Sequence, residues 1–298
     1  MHTSFRLIPA IENSLRFLLT RPLDIILSGG AAAIVLAVTY LILYYLYNDF
    51  GAQFLFSVLL QEPSMFALFM MIVLFVASIL LFVAFHAYLV IVFYKLAYTM
   101  DGDRTLPAHA DGAEKLMVHT AMRRIWRLWP FLPAIVLLAV SELLGFFGEV
   151  QSMAEGDDSL LWFANFLWLI GVLSYLGGLW SLVRNFLFMA PVIVETGGVD
   201  QRAIKAMVPG IFPMGLASAA FLKAIAVVLV AEIPLWFVDW AIDQILGPAD
   251  PSASADASTA YLFFSSLIGL AAIVLTSAVV AGALAHIWRE RRAEPAAG

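Results

Sequence analysis

Long apolar runs separated by short polar stretches dominate this chain, and they predict helices that cross a membrane. A span needs about 20 consecutive apolar residues. Six runs meet that length, at about 23–47, 65–94, 128–148, 160–188, 214–240 and 261–287. Most are longer than the minimum, which predicts tilt or extension into the headgroup layer. Aromatic residues sit at their ends, as expected at a membrane–water boundary. Tyr44, Tyr45 and Tyr47 close the first run, Trp126 and Trp129 open the third, and Trp162 opens the fourth. Trp236 and Trp240 close the fifth, and Trp288 ends the sixth. The pattern predicts an all-α polytopic membrane protein, with residues 1–298 forming one integral membrane domain.

A second, shorter periodicity precedes every other span. Ile8, Ile11, Leu15, Leu18 and Leu19 recur at helical spacing, with Arg6, Glu12 and Arg16 elsewhere on the wheel and Pro22 following. Met117, Ala121, Ile125 and Leu128 form a similar stripe flanked by Arg123, Arg124 and Arg127, before Pro130. Val199, Ala203, Ile204, Met207 and Val208 precede Pro209 and Pro213. An apolar stripe with basic flanks predicts a helix lying in the interface plane. Proline suits the first turn of the helix that follows, because its missing N–H has no intrahelical partner there. The chain thus reads as three units, each an amphipathic interfacial helix followed by a helical hairpin.

Composition agrees with the apolar runs. Charged residues make up 13% of the chain, about half the share usual in a soluble domain. The first apolar run is too long for the 7–15-residue core of a cleaved signal peptide. Charge then orients the spans. All sixteen Lys and Arg residues fall before residue 23, between 95 and 127, between 184 and 223, or after 288. The connections at roughly 48–64, 149–159 and 239–260 hold none, and carry only acidic residues such as Asp49, Glu62, Glu155, Asp158 and Asp243. Basic residues stay on the cytoplasmic side during insertion. Both termini are therefore expected in the cytoplasm. The stretch from Gly247 to Ser258 is small and polar and reads as an outer connector. Glu155, Asp157 and Asp158 are too few for a calcium loop, which needs six to eight oxygens.

The candidate chemistry is sparse. The chain has no cysteine, which excludes disulfides and thiolate chemistry. Its five histidines, at 2, 86, 109, 119 and 286, show no paired-ligand spacing, so no metal or other cofactor is expected. No phosphate loop, nucleophile elbow or dinucleotide fingerprint occurs, and no enzyme is read here. Three ionisable groups fall inside the spans, where charge is costly. Glu142 lies ~8 Å inside the outer end of the third span, and Glu232 lies ~12 Å from Trp240, at 1.5 Å per residue. His86 lies in the inner half of the second. One reading joins His86, Glu142 and Glu232 into a polar pathway. The other gives each a structural hydrogen bond, with the carboxyl groups neutral in their apolar surroundings. Small residues four apart, such as Ser174 and Gly178, Gly177 and Ser181, and the Gly29, Ala33 and Ala37 stripe, permit close helix approach.

Ala190-Pro-Val-Ile-Val-Glu195, Gly197-Gly198-Val199, Ala203-Ile204-Lys205 and Pro209-Gly210 together resemble a family signature. The segment is similar to one in the membrane domain of bacterial glycerophosphodiester phosphodiesterases and related six-helix inner-membrane proteins. Those proteins place a short amphipathic helix after the motif and before the fifth span. Ala206-Met207 replaces the basic–Ser step of the signature, and the phosphodiesterase catalytic domain is absent from these residues. The resemblance therefore implies an inner-membrane protein and brings no catalytic residue with it. In physical terms, Pro191 and Glu195 read as a helix end followed by a glycine turn.

Two functions fit these observations. The first is a non-catalytic, lipid-interacting scaffold or accessory subunit. Its basic side would meet anionic headgroups or a membrane or cytoplasmic protein through Arg123, Arg124, Arg127, Arg202 and Lys205. The alternative is a small transporter or lipid translocator with a cavity lined by His86, Glu142 and Glu232. Neither involves nucleic acid.

Overall fold

The structure, a computed structural model, describes residues 6–60, 64–102, 104–155, 159–182, 189–199, scattered helical positions between 222 and 241, and 255–293. Some side chains on these helices, Glu142 among them, fall outside the description. Among the described residues the fold is entirely helical. Its elements are α1 (Leu7–Thr20), α2 (Pro22–Leu59), α3 (Met65–Tyr98), α4 (Ala113–Arg124), α5 (Phe131–Glu155), α6 (Ser159–Leu182), α7 (Met189–Thr196) and α8 (Ala255–Ala293). Two 3₁₀ turns, Ala108–Ala110 and Ile125–Leu128, flank α4.

Four helical stretches are long and apolar enough to cross a membrane: Pro22–Phe54, Met65–Tyr98, Ser159–Gly178 and Leu267–Glu290. Large apolar side chains on them remain exposed, including Ile34, Val38 and Leu41 on α2 and Phe66, Phe69 and Ile72 on α3. Trp162, Phe166 and Leu173 do the same on α6. Contiguous apolar surface of this kind requires hydrocarbon around it. The chain is a membrane protein. Residues 131–148 of the predicted third span lie in α5, which is not among these four stretches, while most of the predicted fifth span lies outside the described residues.

The helices are longer than the apolar runs predicted. Residues 48–59, read as an outer connection, continue α2. No proline interrupts them, and Gly51 alone costs a helix only about 1 kcal/mol. The turn after α2 is closed by side chains. Ser64 N–H donates to Ser57 Oγ at 2.8 Å, and Ser64 Oγ caps α3 by accepting from Ala67 N–H at 3.2 Å. Residues 255–258, read as part of the connector, are the first turn of α8.

The buried core gathers at the end of the molecule that carries the basic residues. Phe85–Tyr98 of α3, Ala278–Trp288 of α8, α7 and one face each of α1 and α4 build it. Phe17, Phe93, Tyr94, Leu89 and Ile91 are its largest sealed side chains, followed by Met117 and Met189. α1 is helical as predicted, but it packs through Ala10, Asn13, Ser14 and Phe17. Its predicted stripe points outward at Ile8, Leu15 and Leu19. Asn13 and Ser14 are tolerated in the contact because α8 satisfies them. Asn13 Nδ2 donates to the Gly282 carbonyl at 2.7 Å, and Ser14 Oγ donates to the Val279 carbonyl at 2.8 Å. Gly282 permits this approach, since a Cβ there would lie 2.8 Å from Ser14 Cα.

The stripe on α4 meets a different fate. Met117 and Ala121, read as membrane-facing, are buried in protein. The face they share with Ala113 and Thr120 is small enough to lie against α3 and α7. Lys95 fastens that contact by donating to Glu114 at 2.7 Å and to the Ala110 carbonyl at 3.2 Å. The third predicted interfacial segment lies outside the described residues apart from Val199.

Candidate functional site

The intramembrane polar groups come first, because they carried the pathway reading. His86 is half-buried on α3, and its Nδ1 lies 3.2 Å from the Phe82 carbonyl one turn earlier on the same helix. Phe82 also packs against the imidazole, with ring centroids 4.2 Å apart. The histidine is thus engaged by its own helix. Glu142 is on α5, whose extensive packing is against α6, and its side chain is not described. Glu232 lies outside the described residues. Whether His86, Glu142 and Glu232 share a pathway therefore lies outside the described residues. An open depression lies elsewhere, lined by Ala52, Gln53, Phe56, Ser57 and Leu60 near the far end of α2.

At the basic end, several described cations pair with carboxylates and hold helices together. Asp101, just beyond α3, accepts from Arg289 of α8 at 2.5 Å and lies 3.1 Å from Arg16 of α1. Arg289 also donates to the Ala97 carbonyl at 2.9 Å. Glu290 lies 3.9 Å from Arg6 and 3.4 Å from His286. Arg21 pairs with Asp24 in the first turn of α2 at 3.0 Å, where a carboxylate also suits the helix dipole. Lys95 pairs with Glu114. Sequence reasoning placed Arg6 and Arg16 on an interfacial surface; in the structure each has a carboxylate partner.

The turn from α4 into α5 is built differently. Arg123 and Arg124 occupy the last turn of α4, where the helix dipole favours cations. The chain then tightens into the 3₁₀ turn, placing Trp126, Arg127 and Trp129 in close succession. Trp126 is 67% exposed and Trp129 63% exposed, values that leave both indoles for the surroundings. The Arg127 guanidinium stands 5.4 Å from the Trp126 ring centroid, within cation–π range. Ser181 Oγ on α6 donates to the Arg127 carbonyl and holds the turn in place.

Arg123 is exposed, whereas Arg124 is half-buried and donates to Met189 Sδ at 3.3 Å. A thioether is a weak acceptor for a group with five N–H donors. Among the described residues, no carboxylate lies within ion-pair reach of Arg123 or Arg124. Burial, and secondarily the charge of Arg127, push the Arg124 guanidinium below its usual pKa. Arg202 and Lys205, the other predicted headgroup contacts, lie outside the described residues. Among the described residues no cluster of three His, Cys, Asp or Glu could hold a metal.

The signature segment folds as a buried element. Met189–Val194 of α7 are sealed in the core, and Pro191 falls in the first turn, where its missing N–H is harmless. Gly197 ends the helix at φ +66°, returning its N–H to the Ile193 carbonyl at 3.0 Å against the His109 ring. That is a left-handed glycine cap. Comparison with family models, curated proteins and solved structures finds no match for the chain.

Proposed function

We propose that this protein is a non-catalytic, lipid-interacting scaffold or accessory subunit of a bacterial inner membrane. Its six spans would form three hairpins, with both termini cytoplasmic. The observation that carries the reading is the Arg123–Trp129 turn. It exposes two indoles beside arginines, and no described carboxylate lies within ion-pair reach of Arg123 or Arg124, whereas Arg16, Lys95 and Arg289 are each paired with one. Tryptophans favour the headgroup layer, and arginines beside them favour anionic lipid there. The outward stripe of α1, Ile8, Leu15 and Leu19, supports the same placement by offering apolar side chains at that end. The resemblance at 190–210 is taken as structural, since the described part of that motif forms a sealed helix and its cap.

The test is the lipid retained when the protein is extracted with its native bilayer into polymer discs. Anionic phospholipid should be enriched in the discs relative to the bulk membrane. Retained lipid with the bulk composition would contradict the reading.

A further inference from the structure

We propose that the α4–α5 turn is a discrete site for the phosphodiester of one anionic phospholipid, gripped by Arg124 and Arg127. This rests on the lipid-interacting reading and narrows it from a charged surface to one bound molecule.

The chemistry starts with Arg124. Its guanidinium is half-buried, its described polar partner is a thioether, and no described carboxylate reaches it. Arginine stays protonated in proteins, so a positive charge is held there by packing alone. Arg127 follows three residues later, after the chain has tightened to three residues per turn. The Arg127 guanidinium, seated over the Trp126 ring, is near enough to add its charge to the burial that disfavours the charged form of Arg124. An anion beside Arg124 would offset that repulsion and give its guanidinium a charged acceptor in place of the thioether. A phosphodiester fits, because its two unesterified oxygens match the planar forks of arginine.

The surroundings select a lipid over a soluble phosphate. Trp126 and Trp129 stand exposed beside the arginines. Three residues beyond Trp129, an exposed apolar stripe begins on α5 with Leu132, Ile135 and Val136. Those positions recur at i, i+3 and i+4, so they form one face leading away from the turn. An acyl chain can follow that face while the indoles border the glycerol backbone. A free phosphate would use neither feature.

The experiment is native mass spectrometry of the full chain in mild detergent, titrated with phosphatidylglycerol or phosphatidylcholine. The wild type should bind one phosphatidylglycerol more tightly than any further lipid, and more tightly than phosphatidylcholine. Arg124→Gln and Arg127→Gln should each weaken that first binding about tenfold, as expected for one lost charge-assisted hydrogen bond. Lys115→Gln removes the same charge from an exposed position nine residues before Arg124, about 180° around α4. It should leave the first binding within about twofold. If Arg124→Gln fails to fold, Arg127→Gln and Arg124→Lys carry the test, the latter weakening the first binding while keeping the charge.

Equal loss in Lys115→Gln and in the arginine variants would overturn the single site while leaving a general anionic preference intact. Absence of any preference for phosphatidylglycerol would overturn the underlying reading as well. Displacement of phosphatidylglycerol by an equal concentration of glycerol phosphate would assign the site to a soluble anion and overturn the lipid assignment.

Discussion

Arg289 donates to Asp101 at 2.5 Å, fastening the last described helix to the end of α3. Arg16 reaches the other oxygen of the same carboxylate at 3.1 Å, so one side chain ties α1, α3 and α8 together. The two pairs differ in solvent access. The Arg289 side chain is 21% exposed and that of Arg16 is 63% exposed. Asp101→Asn should therefore cost about 1–3 kcal/mol, most of it through Arg289. Arg16→Gln should cost about 0–1 kcal/mol. Thermal unfolding in mild detergent measures both, and a larger loss from Arg16→Gln would contradict this division.

Close approach of α1 and α8 gives a second expectation. Gly282→Ala places a methyl against the Ser14 backbone and should destabilise by about 1–3 kcal/mol. Gly269→Ala, on the same helix with open space around it, should be neutral or gain up to about 1 kcal/mol from helix propensity. Protease cleavage within residues 7–20 reads the difference directly, rising only in the first variant.

These two contacts show what the residue pattern could and could not reveal. The period of α1 was visible in Ile8, Ile11, Leu15 and Leu19, and a helix is there. Its packing face was not visible, because Asn13 and Ser14 look like solvent positions until α8 supplies carbonyls for them. The four candidate spans stood out because uninterrupted apolar runs need only length and composition. The end of α2 was missed for lack of a breaker between 48 and 59. On α4 the stripe through Met117 and Ala121 was real, but its destination depends on α3 and α7, which local periodicity does not encode. The site residues divided similarly. Arg123, Arg124 and Arg127 were singled out as the basic flanks of that stripe, whereas the commitment of Arg6 and Arg16 to Glu290 and Asp101 required tertiary structure.

His86 offers a test of the alternative reading. Its described hydrogen-bond contact is to the Phe82 carbonyl of its own helix, so His86→Leu should change stability by no more than about 1 kcal/mol. A loss of several kcal/mol in detergent would show that the imidazole secures a second helix. A transporter lined by His86, Glu142 and Glu232 would additionally lose flux in reconstituted vesicles.

Orientation has its own measurement. The chain has no cysteine, so Glu155→Cys and Arg123→Cys provide single labelling positions. With the proposed topology, a membrane-impermeant maleimide should label position 155 in intact spheroplasts and position 123 only after permeabilisation. The reverse pattern would invert every span.

The most direct test of the central claim compares the protein's thermal stability in two lipids. Phosphatidylglycerol should raise the unfolding temperature of the wild type above the value in phosphatidylcholine. The gain should shrink with added salt, because exposed charges are screened. It should also shrink in the Arg123→Gln/Arg127→Gln double variant, by about 1 kcal/mol for each basic residue removed from the lipid surface. An equal unfolding temperature in both lipids, or a gain unchanged in the double variant, would contradict the account.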